Sequence, residues 1–465
     1  MSGIRRRVML AAACASLAMA LGGTAVTVAL GAKSPYRNAS GAAFQAWVRS
    51  AEIPLSTVEW SPNDTDLARF GEVVGTARVV ALGEPGHGAH QPLEFRNRLF
   101  GYLVEHCGFT AIGLETSFTE ARAIDDFVMG GRGDAATLAR RELTWGFGSY
   151  EENVQLIRWM RHYNEHARKR RKLHFYGIDM SGANDDADFT HAEIAVRSVI
   201  RYLGRVAPTS SLRVTTGIAP QLRLMARVGY RQMAVRHEPA LDEVLKSLQA
   251  YLVANAPALR RASSQTDYDW AARNLVVAGQ LRDYLRLQPA PELTSTRIGP
   301  LDYLLDNVRE KAMAANAFWA LREEGPRGRL LVFAHDAHVM NARSVGGVWS
   351  VYKEPPVMMG EHLRTQLGTQ LIIIGALAAH NGPGLPIDSP IPGSLEAALE
   401  RLDVPLFALD LRTARGNPGA SEWLDERRPI RANFDTQLDV VPARAFDVIV
   451  FMNEIGPAKP NSALR

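Results

Sequence analysis

The chain is poor in cysteine and in net charge, and it lacks the short signatures of the commonest hydrolases and nucleotide binders. Its two cysteines are Cys14 and Cys107. Cys14 lies in an apolar N-terminal stretch, so the body of the protein has a single thiol and no internal disulfide. Cys107, on the apolar side of an expected helix, reads as a buried core residue. The formal charge is +4, and Arg5, Arg6 and Arg7 supply three of those charges in a 31-residue stretch without an acid. The remainder is close to neutral, so the electrostatics does not point to nucleic acid as a partner. There is no Gly-x-Ser-x-Gly elbow, so the serine nucleophile of the α/β-hydrolases is missing. There is no His-Glu-x-x-His helix and no Gly-x-x-x-x-Gly-Lys loop, which removes zincin chemistry and P-loop phosphate binding. Gly83-x-x-Gly86-x-Gly88 follows a strand, but its order is wrong for a dinucleotide fingerprint.

What is present begins with a leader. Arg5–Arg7 followed by the uncharged run Val8–Leu30 has the layout of a signal peptide, with Ala29-Leu30-Gly31 suited to cleavage after Gly31. The same run also reaches the ~20 residues that an uncleaved anchor needs. Both readings export the protein, to periplasm or cell envelope, and confine membrane contact to residues 1–31. Residues 32–70 read as a connector with a helix near Phe44–Ser50.

Seven short apolar runs then recur between helical patterns: Arg78–Leu82, Thr110–Leu114, Leu173–Ile178, Arg329–Ala334, Gln370–Leu377, Pro405–Leu409 and Phe446–Phe451. Unbroken rather than alternating runs suit strands buried on both faces. The expectation is an α/β fold: a mostly parallel central sheet flanked by helices. The core would comprise 71–184 and 326–456, with 185–325, between the third and fourth strands, as a helical insertion. The basic run Arg168–Lys172 reads as a solvated helix end.

Parallel strands bring their C-terminal ends to one edge, where ligands bind in open sheets. The residues just past each run are Glu84 and His87, Glu115, Asp179, His335 and His338, His380, Asp410 and Arg412, then Asn453 and Glu454. Four of the 12 histidines fall in that set, more than scattered placement favours. Glu84 and His87 on a glycine-rich turn form a ready acid–base pair. Direct attack by water is then the simplest hydrolysis, with His87 as general base, since its ordinary pKa near ~6.5 suits proton abstraction close to neutrality. Glu84 or Glu115 would hold the other ring N–H, and His335 and His338 would donate to a developing oxyanion. Arg96 would fix a substrate carboxylate or brace Glu115. Asp179 caps a loop or meets substrate, His90 lies at the surface or behind the site, and His380 is unassigned.

Gly83-Glu-Pro-Gly-His-Gly88, Glu94-Phe-Arg-Asn-Arg-Leu-Phe100 and Gly108–Glu115 together resemble the erythromycin esterase family. The resemblance continues through Trp145, Asn153–Asn164, Gly177-Ile-Asp179, the run Asp306–Asn316 with Trp319, Ala334-His-Asp-Ala-His338 and Met359-Gly360. It implies that His87 is the essential histidine and Glu84 its partner. It also implies that Arg96 is the active-site arginine, Glu115 the second carboxylate, and His335 and His338 the paired histidines. The activity implied is cofactor-free hydrolysis of a small-molecule carboxylic ester or macrolide-type lactone. Pro85 and Gly86 depart from the small residue and Thr usual before the histidine, and Asp336 stands where Asn is usual. The broader superfamily implied also holds metal-dependent proteases and exported haem-binding proteins, so a metal-dependent hydrolase and an exported binder of haem or another hydrophobic ligand stay open.

Overall fold

The computed structural model of the chain describes residues 41–61, 64–167, 170–182, 192–287, 299–385, 389–433 and 436–464. The expected leader (1–31), the first part of the connector, and Arg168 and Lys169 of the basic run lie outside the described residues. Each of the seven apolar runs is a strand. Among the described residues the ten strands are β1 (Glu52–Pro54), β2 (Val79–Glu84), β3 (Ala111–Ser117), β4 (His174–Asp179), β5 (Leu330–His335), β6 (Leu371–Asn381), β7 (Leu406–Asp410), β8 (Arg428–Asn433), β9 (Thr436–Val440) and β10 (Val448–Ile455). Eight form one sheet in the order β1-β7-β10-β6-β2-β5-β3-β4, and β8 and β9 form a separate hairpin.

From β10 to β4 all the pairings are parallel. The expected gathering of strand ends fails at β7, which runs antiparallel to β10 and sets Asp410 opposite Val448, the first residue of β10. Asp410 and Arg412 therefore sit at the far edge, where they pair with each other at 2.7 Å.

The strands divide their side chains between two cores. Val79, Ala81, Leu330 and Val332 face one, while Val80, Leu82, Leu331 and Phe333 face the other, as a period of two requires. The second core is covered by α3 (His90–Cys107), which is buried on every side from Pro92 to Val104, together with α5 (Ala135–Glu142) and α6 (Glu151–His166). Cys107 ends α3 half-buried at the margin of this core rather than inside it. The first core is covered by helices between β4 and β5, six among the described residues, from Ile194–Val206 to Tyr303–Glu323. Their aromatic rings join the sheet: Trp270 and Trp319 each pack against Tyr176 of β4 with centroids 6.0 Å away. The inserted helices thus share a core with the strands.

One contact ties the middle of the sheet together. Asp336, directly after β5, is fully buried and accepts the Ala376 N–H of β6 at 3.1 Å. Gly83 in β2 makes room for it, since a Cβ there would lie 1.8 Å from Asp336 Oδ1. Burial pushes the Asp336 carboxyl well above the ordinary carboxylate range. A neutral Asp has nearly the shape, and the same net charge, as an Asn at that position. Because the folded form holds a proton that the unfolded chain releases above about pH 4, Asp336 costs stability as pH rises. Asp336→Asn is therefore expected to gain stability over the parent between pH 4 and 8, with the difference vanishing in acid; denaturant midpoints across that range measure it.

Candidate active site

The parallel strands end side by side, and their last residues meet. Register sets Glu84 of β2 opposite His335 of β5. A register shift between Leu114 and Ser117 marks the end of β3, where Glu115 lies. The chain then leaves β2 through the 85–89 turn, in which Gly88 takes φ +82, and enters α3. The inserted helix nearest β5, Tyr303–Glu323, runs past the same edge and adds Arg309 and Glu310.

Glu115 is the centre of the cluster, 1% exposed. Its Oε2 accepts the His335 backbone N–H at 2.9 Å. Its Oε1 accepts from Arg309 Nη2 at 2.8 Å and lies 3.1 Å from His338 Nε2 and 3.8 Å from His87 Nε2. Arg309 also grips Asp179, with Nη2 2.7 Å from Oδ2. Trp145 donates its indole N–H to the same Oδ2 at 2.9 Å and lies 4.9 Å from the guanidinium, face on. Trp145 has φ +60, a conformation that costs a large side chain about 1–3 kcal/mol and is held here by its two partners. Behind His338, Glu310 Oε1 meets Nδ1 at 2.5 Å, and Glu310 Oε2 accepts the Met359 N–H.

The three histidines differ sharply. His87 Nδ1 is 2.7 Å from Glu84 Oε1, and its ring stands edge-on to Phe147 and His335 at 5.0 and 5.4 Å. Burial opposes its charge, but Glu115 and the bond to Glu84 outweigh burial and raise its pKa above the ordinary histidine value. His338 feels the same opposition, and Glu115 and Glu310 raise it further. For His335, burial and the charges of His87 and His338 act together and hold it well below, as neutral imidazole. His335 Nδ1 accepts the Ala337 N–H at 3.2 Å, so the ring proton sits on Nε2, which is buried without a partner among the described residues. Burial raises Glu84 despite its bond to His87. Glu115 goes well below the usual range because His338, His87 and Arg309 overcome its burial.

Glu84, His87, Glu115, Asp179, His335 and His338 thus come together. Arg96 does not brace Glu115: it is fully buried, its Nε and Nη2 donate to Asn97 Oδ1, and its guanidinium lies over Phe333. Arg309 takes that place. His338 has a carboxylate at each ring nitrogen, so it holds Glu115 rather than offering a free donor to an oxyanion. His380 pairs with Glu400 at 41% exposure, and Glu454 is exposed. In the sequence, the run Asp306–Asn316 stands out only through the family resemblance, with no role for its residues. The adjacent Arg309-Glu310 pair on a helix bordering the sheet was the available signal. The site opens to solvent at His87, Arg309 and His338, with 26, 18 and 13% of each side chain exposed. Arg309→Ala leaves Glu115 and Asp179 short of their shared cation, so a destabilisation of about 3–5 kcal/mol is expected in urea unfolding.

The erythromycin esterase family profile matches residues 104–455. The type II erythromycin esterase of Escherichia coli is 23% identical over 340 residues, spanning 71% of this chain and 76% of that one. The putative hydrolase YbfO of Bacillus subtilis is 21% identical across 89% of this chain and 91% of its own length. Among solved structures, a Bacillus cereus protein superposes with a TM-score of 0.74 at 23% identity, covering 91% of this chain and 99% of that one. An erythromycin esterase mutant in its open conformation gives 0.60 at 16% identity, covering 85% and 95%. With its mixed α/β fold and most of its length matched, the chain belongs to the erythromycin esterase family of hydrolases.

Proposed function

We propose that this chain hydrolyses a carboxylic ester or macrolide-type lactone by direct attack of water activated by His87. The observation that carries the reading is the Glu84–His87 pair. Its Nδ1–H is held by a buried carboxylate 2.7 Å away, which leaves the Nε2 lone pair free on a side chain that is 26% exposed. Water attacks the carbonyl carbon and its proton passes to Nε2. The carbonyl becomes an oxyanion, and the neutral, unpartnered Nε2–H of His335 is the donor suited to it. The C–O bond then breaks, and the imidazolium returns the proton to the leaving alkoxide. An ester yields acid and alcohol; a lactone yields one ring-opened hydroxy acid. Glu115, 3.8 Å from Nε2, stabilises the imidazolium while Arg309 and His338 hold it in place. The erythromycin esterases among the relatives support the substrate class, and the leader expected over residues 1–31 would put the reaction in the cell envelope.

Ring-opened product from a macrolide panel, detected by mass spectrometry, tests the activity. His87→Ala is expected to lower kcat/KM about 10²–10⁴-fold; activity within a few-fold of the parent would remove His87 as base. The pH profile checks the electrostatics. His87 accepts a proton only when neutral and its pKa is raised, so kcat/KM should climb with pH through a midpoint above ~6.5. Glu115→Gln removes an anion that raises it, and the limb should move to lower pH. A limb that stays in place would mean that another group controls it.

A further inference from the structure

We propose that Glu59, His90 and Glu94 form a site for one divalent first-row transition-metal ion, oriented by Glu152 and sharing no residue with the catalytic cluster. His90 opens α3 and Glu94 follows one turn later, so both project from one face of the helix. Glu59 arrives from the segment after β1. Its neighbour Trp60 pins that segment down, packing on Trp159 at 5.1 Å and against Gly101, where a Cβ would come within 2.4 Å of the indole. One ligand atom from each of the three side chains lies within 4.8 Å of the other two.

Two further observations point to a cation. Glu94 is 4% exposed, and its carboxylate has no hydrogen bond or ion pair among the described residues. Enclosed carboxylates are commonly paired or coordinate a metal. His90 is prepared as a ligand: Nδ1 meets Glu152 Oε1 at 2.6 Å, and that oxygen also accepts the Lys459 backbone N–H at 2.9 Å. A carboxylate holding one ring nitrogen is the arrangement that orients and strengthens a metal-binding imidazole. Nε2 then faces Glu59 Oε1 at 3.0 Å, a contact made by a proton that an ion would displace. Two other basic groups act on the cluster: the exposed Lys459 side chain, on His90 and Glu94, and the buried Arg96 guanidinium, on Glu94 and Glu152. One imidazole and two carboxylates suit Zn²⁺, Mn²⁺ or Fe²⁺, with the remaining positions open. Such an ion would clamp the 55–61 segment to the start of α3, three residues beyond His87.

The test uses the full chain, stripped with a chelator and titrated with Zn²⁺ and with Mn²⁺. Bound metal is counted by elemental analysis after desalting, and proton release is read by calorimetry in two buffers. One ion per chain is expected for the parent and for His87→Ala, with a proton released on binding. Glu59→Gln, at a half-exposed position that leaves the core intact, and Glu94→Gln should each abolish stoichiometric binding. Glu152→Gln should weaken it ~10–100-fold. The proposal is overturned if the parent binds neither ion stoichiometrically. It is also overturned if binding survives both Glu→Gln changes, or if His87→Ala alone removes it, which would put the ion at the catalytic cluster. None of these outcomes depends on ester hydrolysis.

Discussion

The catalytic end of this molecule is organised around a single buried carboxylate. Glu115 is bonded by the β5 backbone at His335, by Arg309 from an inserted helix and by His338 from the turn after β5. Taking an anion out of water is expensive unless its partners are close and its lone pairs are used. Both oxygens of Glu115 are used. The cost of burial is thereby offset by contacts from elements far apart in the chain, and those elements are held at the positions the chemistry needs. Arg309 extends the network to Asp179 and Trp145, so four strand ends and one helix share a continuous set of charged contacts.

The same network gives three histidines three different electrical states. His338 lies between two carboxylates and is held as a cation. His335 sees two neighbouring imidazoles and a low-dielectric wall, and stays neutral. His87 lies between these extremes, with one carboxylate at hydrogen-bond distance and another at 3.8 Å. Environment, not residue type, separates a donor, a structural cation and a base. The separation depends on exclusion of water, which the two apolar cores and the nearly all-buried α3 provide.

The unbroken apolar runs marked all seven major strands, because a strand buried on both faces has little choice of residue. The histidines and acids just beyond those runs were legible for the same reason: a strand end at a sheet edge is a fixed place to look. Strand direction was not legible. Asp410 follows an apolar run as Glu84 does, yet β7 is reversed and its end points away. Arg96 shows a second limit. On α3 it had the right charge and the right neighbourhood, but its side chain turns to Asn97 and Phe333, and helix rotation decides that.

The sequence by itself determined the class of fold, the turn that carries Glu84 and His87, and the stock of groups gathered at the sheet edge. These depend on local pattern: hydrophobic runs, glycine at a tight turn, polar residues after apolar ones. The tertiary structure decided which groups touch. It brought Arg309 and Glu310 from a helix about 190 residues beyond Glu115, set Arg309 on Glu115 and Glu310 on His338, and left the His335 Nε2–H without a partner among the described residues. It also set Glu59, His90 and Glu94 around one point. The physical reason is that hydrogen bonds and ion pairs act over about 3 Å, a distance that only the packing of non-neighbouring elements can define.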